Sequence, residues 1–401
     1  MKTKGINKIG ILATLLFVSF GVKAQQNPMS LEELIPLAIE NNAGLNAFDL
    51  QVDQSEALVK SAFHFDKTEL YYGYDENNLA LNNKPLRMLG IQQDFRFPTV
   101  YFSEKRVHKA TLNLASSTYA IQKKALERKV TSAYYSYQIA SERQRVLKTL
   151  DSLYANFASM ASRRFELGET NYLEKITAAS KQKQVNLNYF ASQQEVASAY
   201  ASLVSVVQPK DTLVVKKDNL LKVPLKVFEL NSTPELGYYQ NRLSLVQARR
   251  RFEKQQLLPD ISLNYFQGTN SGLNNSLHGY QLGLKIPILF GGQSAQIKAA
   301  GIAEDIVSEE LNEYQIQLNA KLNALTIQLN QLSKALMYFE EEGSALADEI
   351  LKTANGSFRN GEIDFYQYIQ SLESAYEVKL EYLDKLSEYN KSVISINYLT
   401  L

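Results

Sequence analysis

The sequence predicts a mainly α-helical chain with a small β part, written as two internal repeats. Three observations carry this expectation. No proline occurs in the 114 residues after Pro287, and a second proline-free run of similar length follows Pro98. Within the later run, Leu318, Leu322, Leu325, Leu329, Leu332 and Leu336 recur at steps of 4, 3, 4, 3 and 4, the 3.5-residue period of a coiled-coil seam. Ahead of each run stand two short segments that alternate apolar and polar residues, as half-buried strands do.

The first residues form an export signal. Lys2, Lys4 and Lys8 precede an apolar run over 9–20, and Val22-Lys23-Ala24 offers small residues for cleavage after Ala24. Removing Lys2, Lys4, Lys8 and Lys23 turns 43 basic against 42 acidic side chains into 39 against 42. A slightly acidic chain is no footprint for nucleic acid. The absence of cysteine excludes disulfides and thiolate chemistry. After residue 24 no apolar run reaches the roughly 18 residues of a membrane helix, so any crossing of a membrane falls to β-strands.

In chain order, Ser30-Leu31-Glu32-Glu33 opens a helix as a capping box, although Pro36 lies inside it. A second helix follows over about 43–65. Leu70, Tyr72 and Tyr74 mark a strand over about 68–75, the Asn-rich 75–84 reads as a loop, and Leu89, Ile91, Phe95 and Phe97 mark a second strand over about 88–97. A helical hairpin spans about 101–207, and an irregular segment covers 208–232. The second half repeats this order. A helix runs from Pro234 to Pro259, strands occupy about 260–267 and 279–286 around a loop at 268–276, and a hairpin covers about 290–398. The boundaries are therefore 1–24 for the signal peptide, 25–232 for the first repeat and 233–401 for the second.

The spacing between halves is nearly constant. Leu45 and Leu236 lie 191 apart, Pro98 and Pro287 lie 189 apart, and Gly168 and Gly361 lie 193 apart. Internal duplication accounts for this economically. Each of the last two glycines interrupts a helical pattern and supplies the left-handed residue of a hairpin tip. A descending arm of this length extends ~100 Å. The shorter helices match it only if stacked end to end, the arm from Gly168 to near Pro209 with 234–258, and 363–398 with 43–66. In the first arm Leu126, Val130, Ala133, Tyr137 and Ala140 form a narrow seam between wet faces, as in a curved wall.

Tyr280, Leu282, Leu284 and Ile286 form a lipid-facing row, with Gln281 and Lys285 on the watered side. Tyr71, Tyr72, Phe97, Tyr265 and Phe266 are candidate interfacial aromatics. Four strands do not close a barrel, so the chain must oligomerise: two copies give eight strands, three give twelve.

The chain resembles the TolC-like outer-membrane efflux family over nearly its whole mature length. The motifs are Ser30-Leu31-Glu32-Glu33 with Glu40-Asn41-Asn42, Pro259-Asp260-Ile261-Ser262-Leu263, Gly283-Leu284-Lys285-Ile286-Pro287-Ile288 with Gly291-Gly292, and Phe358-Arg359-Asn360-Gly361-Glu362-Ile363. The resemblance implies a homotrimer with a twelve-stranded transmembrane β-barrel and an α-barrel of coiled-coil hairpins reaching into the periplasm. It further implies a periplasmic adaptor docked at the hairpin tips and an inner-membrane transporter behind it. The function implied is a passive exit duct for a tripartite efflux or type I secretion-like system. The alternative is an exported coiled-coil stalk or adhesin without a pore; a soluble periplasmic binding protein is disfavoured for want of a contiguous core.

In that family, acids six and nine residues after the second-repeat glycine ring the entrance; here Gln367 and Gln370 stand there. Glu174, six after Gly168, and the nearby Glu169, Glu362 and Asp364 are the remaining gate candidates, against a plainer reading as helix-start acids. Phe165, Leu167, Gly168, Phe358, Gly361 and Ile363 are the adaptor-docking candidates, or simply the residues that shape the turns. Arg96 and Lys285, at equivalent positions on the polar faces of the two innermost strands, either line the lumen or snorkel to lipid phosphate. The three histidines fit no metal spacing, and no nucleotide loop or nucleophile constellation occurs. The expectation is no enzyme, no cofactor and no nucleic acid.

Overall fold

The computed structural model describes residues 27–217, 220, 222–226 and 233–399. The signal peptide and parts of the 208–232 segment lie outside the described residues. Helices α1 (Leu31–Asn41) and α2 (Ala43–Lys60) lead through a 3₁₀ turn to strands β1 (Glu69–Leu79) and β2 (Pro85–Phe95). Then come α3 (Pro98–Glu166), α4 (Tyr172–Val207), α5 (Pro234–Gln255), β3 (Asp260–Thr269) and β4 (Leu277–Lys285). Helix α6 (Gly291–Tyr338), a π turn (Phe339–Gly343), α7 (Ser344–Arg359) and α8 (Phe365–Asn397) complete the chain.

Local chemistry fixes the helix starts. The expected capping box opens α1, with the backbone N–H of Ser30 donating to Glu33 Oε2 at 2.7 Å. Pro36 sits inside an otherwise regular α1. Asn42 caps α2, its side chain accepting from Leu45 N at 3.0 Å.

The four strands form one antiparallel sheet in the order β1-β2-β3-β4. They run further from the helices than expected. β1 reaches Leu79 and β2 starts at Pro85, which reduces the Asn-rich 75–84 loop to 80–84. Beyond Asp75 the register breaks over the polar Glu76, Asn77 and Asn78 and pairing resumes at Leu79 with Pro85, so no apolar alternation signals the extension. The register puts Leu70, Ile91, Tyr265 and Tyr280 in one row across the sheet. Tyr280, Leu282, Leu284 and Ile286 are all more than half exposed in the lone chain.

Tyr71 and Phe266 are not on that face. They lie on the opposite one, and each ring covers a glycine of the next strand. A Cβ on Gly90 would stand 2.2 Å from the Tyr71 ring, and one on Gly279 2.2 Å from the Phe266 ring. Only glycine lets those rings lie flat on the backbone. At the distal end Asn82 and Asn270 exchange reciprocal amide hydrogen bonds of 3.0 and 2.9 Å, which clasp the two hairpin loops together.

The helices continue the sheet downward, but stack otherwise than the lengths suggested. The start of α2 meets the end of α4: Asn42 Nδ2 donates to Val206 O at 3.1 Å, and Ala43 N to Gln208 Oε1 at 3.0 Å. The start of α5 meets the end of α8, where Leu236 and Leu399 share a core with Tyr314 and Leu318 of α6. Thus α2 stands on α4 and α5 on α8, the reverse of the expected pairing. Both pairings give nearly equal lengths, so arithmetic could not choose; the Asn42 and Gln208 contacts do.

The α3 seam also differs. Leu126, Val130 and Tyr134 are buried, whereas Ala133, Tyr137 and Ala140 are only half-buried. Helix α3 has neighbours on both sides, α2 and α4 on one and α5 and α8 on the other, so its buried positions spread over two faces. Among the described residues no helix is long and apolar enough to cross a membrane.

Candidate functional site: the hairpin tips and the sheet base

Both tips close in the same way. Gly168 and Gly361 have φ of 74° and 75°. Glu169 N donates to Arg164 O and Glu362 N to Ser357 O, each at 2.8 Å, while Gly168 N reaches Phe165 O and Gly361 N reaches Phe358 O. This pair of bonds is a Schellman motif, which satisfies carbonyls that a helix end otherwise leaves open. The return helices then start on side-chain caps. Asn171 accepts from Glu174 N at 2.9 Å, and Asp364 accepts from Gln367 N at 2.8 Å.

The gate candidates are built into these turns. Gln367 Oε1 accepts from Asp364 N at 3.0 Å, which completes a capping box. Glu174 occupies the matching position of α4 and accepts from the Thr170 hydroxyl. Glu362 accepts from Ser357 Oγ at 2.8 Å and Asn360 Nδ2 at 3.3 Å. Glu169 lies 3.8 Å from Arg164 Nε, exposed. Gln370 is exposed on α8, one turn further.

The docking candidates divide. Phe358 stacks on Tyr368 at 4.5 Å and 12°, and with half-buried Ile363 it packs against the tip core. Phe165 meets Tyr172 at 5.7 Å, with Lys175 Nζ 4.9 Å above its ring. Leu167 is 66% exposed, and Tyr172, Leu173 and Ile176 join it in an apolar patch on the first tip. The sequence reading missed these three; their signal was apolar residues directly after the Asn171 cap. The second tip exposes Tyr366 in a comparable place.

The tip core is shared by α3, α4, α7 and α8, with Phe157 in contact with Phe358, Phe365 and Tyr368. Within it the Tyr154 hydroxyl has no hydrogen-bond partner, and burial pushes its phenol well above the usual range. Between α4 and α8 a groove of about 540 Å³ opens, floored by Leu150 and Tyr154. Lys181–Glu373 at 2.7 Å and Arg143–Asp384 tie α8 to α4 and α3.

At the sheet base neither basic candidate is a free charge. Arg96, one residue beyond β2, pairs with Glu104 at 2.7 Å and lies over the Tyr101 ring. Lys285 pairs with Asp94. Lys285 ends β4, an edge strand, so the description of both as lying on innermost strands is corrected: β2 and β3 are the inner pair. Asp260 and Glu69 lie on the same polar face as Asp94. Among the described residues no group of His, Cys, Asp and Glu could hold a metal ion.

A sheet apolar on one face, open at both edges and continued by two capped helical hairpins is the fold of the TolC-like outer-membrane channels. The chain is 21% identical over 389 residues to the cobalt-zinc-cadmium resistance protein CzcC of Cupriavidus metallidurans, covering 92% of this chain and 89% of that one. It superposes on the CmeC outer-membrane channel of Campylobacter jejuni with a TM-score of 0.75 and 13% identity, over 94% and 89% of the two chains. For the outer-membrane protein VceC of Vibrio cholerae the values are 0.72 and 13%, over 92% and 95%. No protein-family model matches the chain.

Proposed function

We propose that the protein is the outer-membrane exit duct of a tripartite efflux system and conducts solutes passively from the periplasm to the exterior. The observation that carries this reading is the sheet. Its apolar face is exposed on all four strands, its opposite face is polar, and both edges lack a partner strand among the described residues. An open edge cannot face lipid, so copies must close on one another. Three copies make twelve strands, wide enough for a watered lumen. A stalk or adhesin needs no such sheet.

The tips are the entrance. The exposed patch of Leu167, Tyr172, Leu173 and Ile176 supports docking of an adaptor, with an inner-membrane transporter supplying the energy. Phe358 and Ile363 shape the second tip from within, and Gly168 and Gly361 set both turns. Cargo choice rests with the transporter; the metals in the name of the Cupriavidus relative make divalent cations the first class to test. Conductance in planar bilayers tests the duct. A purified trimer that stays silent after its tips are loosened by Arg143→Gln with Lys181→Gln would end this reading.

A further inference from the structure

The second repeat has one residue too many for its seam, and the π turn absorbs it. The buried row Leu332, Leu336, Phe339, Gly343 continues as Ala347, Leu351, Ala354 and Phe358. Steps of 4 from Phe339 to Gly343 and 4 again to Ala347 exceed a heptad by one residue. In a plain α-helix that residue would turn everything below it by about 100°. Instead Ser344 N donates to Phe339 O, five residues back, and α7 keeps its seam inward. The corresponding stretch of α3, with Leu147, Leu150, Tyr154, Phe157 and Ala161 buried, keeps steps of 3, 4, 3 and 4 in one unbroken helix.

What the extra turn holds outside is also apolar. Had the heptad continued without interruption, the seam below Gly343 would be Leu346, Ile350, Thr353 and Ser357. Leu346 and Ile350 are 53% and 37% exposed. Helix α7 therefore carries two adjacent apolar rows, one packed and one free. The π turn also lies between two buried clusters that share Tyr382 and Leu220 at their margin. Above it Leu336 joins Ile139 and Leu386; below it α7 belongs to the tip core. Lys222 of the 208–232 segment pins the turn by pairing with Glu340 at 2.6 Å. Single π turns inside α-helices occur frequently at functional sites.

We infer that α7 has two registers and that converting the π turn to α-helix rotates Leu346 and Ile350 into the seam, which moves the second tip while α3 stays fixed. This deepens the duct reading and rests on it. Deleting Glu341 tests it, because the shortened helix keeps the present seam without a π turn and has no residue left to shift. In the Arg143→Gln, Lys181→Gln background, deletion of Glu341 is expected to lower open probability in planar bilayers at least ten-fold. Leu346→Asn with Ile350→Asn, which spares the present packing, is expected to do the same with the oligomer intact.

With no native cysteine, spin labels at Lys352→Cys and Arg163→Cys, on one copy diluted among unlabelled copies, report α7 against α3 within that copy. The loosened parent should show two distance populations and the deletion one. Undiminished opening in either variant, or two populations persisting in the deletion, overturns the inference. Loss of the oligomer in the Asn variant does so as well, because Leu346 and Ile350 would then face a neighbouring copy. A silent loosened parent brings down the duct reading itself.

Discussion

Substituting the tip glycines separates turn geometry from docking. A Cβ at Gly168 or Gly361 meets nothing within 4 Å, so alanine there adds no clash. What remains is the left-handed backbone, with φ of 74° and 75°. That conformation costs an L residue ~1–2 kcal/mol, while removing glycine's freedom in the unfolded chain returns ~0.4–1 kcal/mol. The net loss is ~0.5–1 kcal/mol at either tip, roughly a two- to five-fold change in a local opening constant. The observable is exchange of the Glu169 and Glu362 amide hydrogens, whose bonds to Arg164 O and Ser357 O close the turns. Gly168→Ala and Gly361→Ala should each accelerate exchange by that factor, and by the same amount. Asparagine, which tolerates the left-handed region, should cost less than alanine. Equal rates for alanine and asparagine would refute the backbone account. A drop in export far beyond five-fold for one glycine only would show that its tip touches a partner.

The other expectations are briefer. Tyr154→Phe removes a buried hydroxyl with no partner, so stability to urea should rise by up to ~1 kcal/mol; a loss would mean that the hydroxyl is satisfied after all. Gly90→Ala and Gly279→Ala force the Tyr71 and Phe266 rings off the backbone and should cost ~1–3 kcal/mol each, read as reduced heat-stable oligomer. Gly237→Ala, inside α5 where a Cβ meets nothing, is the control and should stabilise by about 0.5–1 kcal/mol. Burial raises the pKa of Glu235 above its ordinary 4.5. The folded state therefore holds that proton longer than the unfolded one, and stability falls as pH rises from 4.5 through the raised value. Glu235→Gln should flatten this part of the unfolding profile, and an unchanged slope would exclude Glu235 as its source.

How much was legible follows from which signals are periodic. Strands that alternate, leucines on a heptad and glycines that break helices all repeat at fixed steps, and each marked its element to within a few residues. The stacking of α2 on α4 was not legible, because two pairings of short helices had nearly the same length. It took the Asn42 and Gln208 contacts to distinguish them. The π turn was missed because Leu318 to Leu336 are regular and the extra residue enters only below Gly343. Tyr71 and Phe266 were named as interfacial aromatics by residue type, although their alternation with Tyr72 and Tyr265 already put them on the opposite face. At the site, the sequence named the turn residues but could not say what their side chains do.

Those side chains bear on how the entrance is controlled. A ring of carboxylates repels itself open or binds cations only if its members are free to face one another. Gln367 is held by the Asp364 backbone, Asp364 by that of Gln367, Glu362 by Ser357 and Asn360, and Glu174 by Thr170. Each is engaged in shaping its own turn. Side chains so engaged cap their own turns, and on the register inference control of the opening lies in the helices that carry them. The two arms differ there: α3 is uninterrupted over 69 residues, whereas the α6–α7 arm is broken by a π turn above the tip core that it shares with α3, α4 and α8. On that inference the α3 arm is the stiff stave and the α6–α7 arm the one that turns. If Gln367→Glu with Gln370→Glu leaves conductance and ion selectivity unchanged while deletion of Glu341 abolishes opening, control lies in the arm; the opposite pair of results places it back at the tips.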